Sequence, residues 1–145
     1  MNQSELLENW VLQKTSGNYH VLAEPIEVEF EFRGVFGHPS SYAYVKLRAE
    51  PAQSLLYTSE ALLPEDFDAE YTRRIHDTIT EALVDGLLAL PNGYPYRGCH
   101  IRLLQFGWDA VGGSERAVRR ATSKAMDLLR EKAKWRLSDG HYRQY

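Results

Sequence analysis

The sequence predicts an α+β domain with two long helices on one face of a four-stranded, mostly antiparallel sheet. Three observations predict it. Residues 25–33 and 42–50 alternate apolar and polar side chains, the period of a strand with one buried face. Residues 67–90 and 115–134 carry apolar side chains at three- and four-residue spacing, the period of a helix with one buried stripe. Strands come in a run before the first helix, giving the order β-β-β-α-β-α and a two-layer sandwich.

The elements follow in chain order. Ser4–Lys14 reads as a short helix, with Ser4 as N-cap and Leu6, Leu7, Trp10 and Val11 on one face. In Pro25–Arg33, Ile26, Val28, Phe30 and Phe32 point to the core, and Glu27, Glu29, Glu31 and Arg33 point away. Gly34–Ser41, with two glycines and a proline, is a loop. Tyr42–Glu50 alternates again, with Lys46 and Arg48 outward. An antiparallel pairing sets these cations opposite the Glu row, each pair contributing roughly 0.2–1 kcal/mol. A third strand is predicted over Leu56–Leu62. Pro64-Glu-Asp66 starts the first long helix, whose apolar stripe is Phe67, Tyr71, Ile75, Ile79, Leu83, Leu87 and Leu90. Pro91-Asn-Gly93 ends it. The fourth strand spans Gly98–Phe106. Ser114 caps the last helix, where Val118, Ala121, Ala125, Leu128 and Leu129 form the apolar stripe. Arg116, Arg119, Arg120, Arg130 and Lys134 gather on its other side. Residues 1–24 read as an N-terminal extension, 25–134 as the domain and 135–145 as a tail.

The 145 residues, 43% hydrophobic, suffice for one core. The net charge is −3 but unevenly spread: residues 1–70 hold twelve acids and four bases, residues 114–145 nine bases and four acids. Either the two halves neutralise each other or the basic end faces a polyanion. The single cysteine, Cys99, excludes an internal disulfide and reads as a small core residue. The acidic start lacks the pattern of a signal peptide, and no run approaches a membrane span, so a cytoplasmic protein is expected.

Recognisable catalytic chemistry is missing. No phosphate-binding Gly-x-x-x-x-Gly-Lys motif or Gly-x-Gly-x-x-Gly is present, so no nucleotide partner and no cofactor are expected. The five histidines show no metal-ligand spacing with one another or with Cys99. The acids at 65–70 suit a helix start rather than a carboxylate pair. A non-enzymatic protein is expected. What remains is surface. The loops Gly34–Ser41 and Gly107–Ser114 each carry an aromatic, Phe36 or Trp108. If the first two strands form a hairpin and the fourth runs beside them, both loops fall at one end. The second leads into a helix N-terminus, whose free N–H groups attract anions, with Arg116, Arg119 and Arg120 beside it. Alternatively the aromatics fold onto the core and the arginines form a solvated face.

Taken together, several stretches resemble domain IV of bacterial elongation factor G and its eukaryotic counterpart. They are the Glu-rich strand with Tyr44-Val-Lys-Leu-Arg-Ala-Glu-Pro51, then Leu63-Pro-Glu-Asp-Phe67, Gly86, Gly93-Tyr-Pro95, Ile101-Arg-Leu103, Gly107, and Ser114-Glu115 with Ala121 and Ala125. The resemblance covers about residues 26–133. It implies a fold like the second domain of ribosomal protein S5, with a left-handed strand–helix–strand crossover. It also implies a stand-alone domain without the GTPase, whose tip loops contact the ribosome or structured RNA. The corresponding tip residues are Arg33, Phe36, His38, Trp108, Asp109, Gly112, Gly113 and Ser114, with Arg116, Arg119 and Arg120 as the basic face. Asp109 stands where the family often has a histidine, and an acid there disfavours phosphate. The alternative expectation is a protein-interaction or self-associating module, a homodimer included, anchored by Trp10, Trp135 and Tyr145.

Overall fold

The structure is a computed structural model describing residues 18–34, 42–89, 93–108 and 114–138. The expected helix over Ser4–Lys14 lies outside these residues. The elements are β1 (Tyr19–Leu22), β2 (Ile26–Arg33), β3 (Tyr42–Pro51), β4 (Leu56–Ser59), α1 (Ala69–Leu87), β5 (Tyr96–Trp108), α2 (Glu115–Lys132) and β6 (Trp135–Ser138).

The α+β class and the two long helices match the expectation; the four-stranded sheet does not. Among the described residues the sheet has six strands, in the order β2-β3-β5-β1-β6, with β4 also on β5. β2–β3, β3–β5 and β1–β6 are antiparallel, whereas β1 and β4 run parallel to β5, so the sheet is mixed. The two added strands lie in segments read from the sequence as extension and tail. Each is four residues long, too short to show a period, and each is held by partners distant in sequence.

β2 and β3 form the expected hairpin, Ile26 opposite Ala49 through Arg33 opposite Tyr42. The cross-strand charges meet as anticipated: Glu27 pairs with Lys46 at 3.6 Å and with Arg48 at 3.3 Å. β4 stops at Ser59, short of the expected Leu62. The Ser59 hydroxyl accepts the Ala61 N–H at 3.3 Å and turns the chain, leaving Leu62 exposed. β5 extends beyond Gly98–Phe106 at both ends, because His20 pairs opposite Tyr96 and Ala43 opposite Trp108.

α1 begins later than expected. Pro64-Glu-Asp66 makes a turn, closed by the Phe67 N–H donating to the Pro64 carbonyl at 3.1 Å. Asp68 is the N-cap, its carboxylate accepting the Tyr71 N–H at 2.7 Å. An aspartate caps the free N–H groups of a first turn well, whereas Pro64 offers no side-chain acceptor. Ile75, Ile79, Leu83 and Leu87 are buried as the spacing predicts. α2 starts at the expected cap, with the Ser114 hydroxyl accepting the Ala117 N–H at 3.1 Å. Val118, Ala121, Ala125 and Leu129 are buried, and Leu128 packs at the margin. The core joins these stripes to Val28, Val45, Leu47, Ile101 and Leu103 of the sheet.

Candidate functional site

The ladder sets where the two candidate loops emerge. Arg33 ends β2 opposite Tyr42, which starts β3, and Ala43 stands opposite Trp108, the last residue of β5. The ends of β2 and β5 and the start of β3 therefore share one end of the sheet. The connections 34–41 and 109–113 both leave from it, as the hairpin expectation required. Phe36, His38, Asp109, Gly112 and Gly113 lie outside the described residues.

Of the described tip residues, Arg33 is exposed but tied back to the sheet. It donates to Glu31 at 2.8 Å and lies 5.2 Å above the Tyr42 ring. Hydrogen bonds from Tyr42 and Arg33 hold the Glu31 carboxyl below its ordinary value. The hydroxyl of Ser114 is used in capping α2.

Trp108 turns inward. It stacks with Phe106 at 5.9 Å and meets Phe67 edge-on at 5.0 Å and Tyr71 at 6.0 Å. The reason lies at a bulge. Leu103 pairs with Leu47 but Gln105 pairs with Lys46, so Leu104 is an extra residue in β5. One inserted residue reverses which face the following side chains occupy. Before it, Cys99, Ile101 and Leu103 face the core; after it, Phe106 and Trp108 do. The apolar parity changes from odd to even positions at 104, a sign readable in the sequence itself.

The basic face divides in two. Arg119 reaches back to α1, hydrogen-bonded to Glu81 and 3.7 Å from Asp85. Arg119 also lines, together with Arg116, Arg120 and Lys124, a groove between α2 and the edge strand β2. The groove holds about 360 Å³ and is walled by Phe32, Ser123 and the arginines. The Arg120 guanidinium lies 5.9 Å from the centre of the Phe32 ring. None of Arg116, Arg120 and Lys124 has an acidic partner among the described residues. Glu115, beside Arg116, is taken by Arg74 at 2.7 Å, and Asp127, three residues beyond Lys124, is taken by Arg130.

Positions 116, 120 and 124 stand four residues apart, so they line one side of the helix. Like charges so spaced repel by a few tenths of a kcal/mol per pair. Grouping by sequence nearness found Arg116, Arg119 and Arg120, all of which line the groove, and passed over Lys124 and Phe32. The four-residue spacing was the signal that would have found Lys124. Phe32 is the last apolar residue of β2, where the core thins and its ring remains half-buried.

The three described histidines make structural contacts. His76 Nδ1 is hydrogen-bonded to the buried Tyr57 hydroxyl at 2.8 Å, and His100 Nε2 to the Thr58 hydroxyl at 2.8 Å. Burial lowers the pKa of His20, His76 and His100. Burial also keeps the Tyr57 phenol protonated and pushes the Cys99 thiol up to about 12, so Cys99 is an inert core residue. Among the described residues no group of histidine, cysteine and carboxylates has the geometry to hold a metal ion. No helix among them is long and apolar enough to cross a membrane.

A solved protein of Thermus thermophilus shares this fold. It matches 83% of the present chain with a TM-score of 0.64 and 23% sequence identity. The chain spans 18% of the length of that protein. No family model matches the sequence, and no curated protein matches it.

Proposed function

We propose that this chain is a non-enzymatic module resembling elongation factor G domain IV, with the ribosomal S5-like fold, that contacts the ribosome or another structured RNA. The observation that carries the reading is the row Arg116, Arg120 and Lys124, uncompensated among the described residues and leading away from the tip. Three cations on one helix side repel one another, and a polyanion relieves that repulsion. The convergence of both loops at one end of the sheet supports the reading, as does the sequence resemblance.

The test is co-sedimentation with ribosomal subunits across a salt series. Wild type is expected to pellet with subunits and to release as salt rises from ~50 to ~200 mM, since each phosphate contact releases counterions. A protein bearing Arg116→Glu, Arg120→Glu and Lys124→Glu is expected to stay in the supernatant. Equal pelleting of the two proteins defeats the proposal.

A second reading rests on the far end of the sheet. There His20 stacks on Tyr96 at 4.3 Å, and Tyr96 meets Trp135 at 4.8 Å. Tyr94 and Leu137 beside them are half exposed. β6 is an edge strand, so this end suits self-association. Light scattering on wild type and Leu137→Glu decides it. A concentration-dependent dimer lost in the variant supports the reading, and a monomer at every concentration removes it.

A further inference from the structure

We propose that the groove between β2 and α2 holds one unpaired nucleotide of an RNA strand, its base on Phe32 and its flanking phosphates on Arg116 and Lys124. This rests on the RNA-contact reading above and narrows it from a charged surface to a site with a preferred strand state.

Phe32 supplies the first argument. The other inward residues of β2 lie against the core, but Phe32 also lines the groove, with its ring half-buried. An aromatic face walled by cations meets the requirements of an unstacked base, which stacks on the ring while its phosphates meet the charges. Arg120 lies over that ring and has no acidic partner to give up among the described residues. It is therefore available to lift and close over a base, as guanidinium planes do on nucleobases.

Spacing supplies the second. Arg116, Arg120 and Lys124 rise ~6 Å per step along the axis at 1.5 Å per residue. They form a straight row that an extended sugar–phosphate strand can follow. Double-stranded RNA keeps its bases in the stack and offers only backbone and groove edges, so it cannot set a base on a ring recessed between helix and strand. An acidic peptide would satisfy the cations but would gain nothing from the aromatic wall.

Volume supplies the third. At about 360 Å³ the groove falls at the small end of the range for clefts that bury a ligand. It suits a single flat group rather than a folded segment.

Fluorescence anisotropy with labelled oligouridylate and oligoadenylate of about ten nucleotides tests the proposal, beside a hairpin duplex carrying the same charge. The single strands are expected to bind about tenfold or more tighter than the duplex, the scale of one stacked base. Phe32→Leu keeps the apolar bulk and is expected to remove that preference while leaving duplex binding unchanged. Phe32→Tyr is expected to retain it. If Phe32→Leu lowers the melting temperature, Arg120→Ala serves instead, with the same loss of preference expected. Equal affinity for single strand and duplex, unaltered by either variant, overturns the nucleotide site and leaves the wider RNA reading standing. So does co-sedimentation with ribosomes without binding to any oligonucleotide. Displacement of the RNA by an equal concentration of oligoglutamate overturns the site in favour of an acidic protein partner. Failure to bind ribosomes and oligonucleotides alike overturns both readings.

Discussion

Gly98 in β5 lies so close to Val21 in β1 that a Cβ at position 98 would fall 2.8 Å from the Val21 Cα. The two residues are register partners in a parallel pair. Because the obstruction is backbone, no side-chain rotation relieves it. Gly98→Ala must push β1 from β5, and overpacking of this kind costs ~1–3 kcal/mol. A urea titration is expected to show the midpoint lowered by a corresponding amount. An unchanged midpoint would mean that β1 is not an integral strand.

The Tyr57 hydroxyl and His76 Nδ1 join β4 to α1 across the edge of the core. Tyr57→Phe keeps the ring and leaves a half-buried imidazole nitrogen without its partner. The expected cost is ~1–2 kcal/mol. Pairing it with His76→Leu in a double-mutant cycle isolates the bond: the double variant is expected to be more stable than the two single losses combined predict.

Stability should fall on acidification through the histidine range. Burial lowers the pKa of His20, His76 and His100; near His100 the Arg102 charge acts in the same direction. Their folded-state values therefore lie below the unfolded value of ~6.5, so the unfolded chain binds more protons between the two. Stability is full above ~6.5, declines as pH drops below it, and levels off once the folded-state values are passed. Urea midpoints at about pH 7.5 and about pH 5 check the sign, and His76→Gln is expected to shrink the difference.

Arg119 and Arg116, three residues apart on α2, should separate in their effects. Arg119→Gln removes exposed bridges to Glu81 and Asp85 and is expected to lower stability by under ~1 kcal/mol and to weaken RNA binding less than Arg116→Gln, since its charge is already engaged by those acids. Arg116→Gln is expected to leave stability unchanged and to weaken RNA binding and its salt dependence. Melting curves and anisotropy on the same two preparations measure both.

Much of this architecture was legible in the sequence because its cause is local. The alternation of Ile26–Arg33 and the four-residue spacing of Ile75, Ile79, Leu83 and Leu87 record which face of each element is buried. Ser114 announces the start of α2 through a hydrogen bond only three residues long. For the candidate site, the sequence located the shared end of the loops and three of the four groove cations, Lys124 being the one passed over. It missed Phe32, which by periodicity alone looks like any other core residue of its strand.

By itself, then, the sequence determined the class, the two helices and the β2–β3 hairpin, since burial periodicity and capping act within a single element. The tertiary structure alone decided three further matters. β1 and β6 became strands because each pairs with the other, and β1 with β5, across most of the chain; four residues carry no period that could show it. Trp108 turned inward because an extra residue at Leu104 reversed the pleat against β3. Arg119, though it lines the groove, is engaged by Glu81 and Asp85 on α1, leaving Arg116, Arg120 and Lys124 as the cations beside Phe32 without an acidic partner among the described residues. Each depends on what a distant part of the chain places alongside, and strand propensity and charge change their meaning with that neighbour.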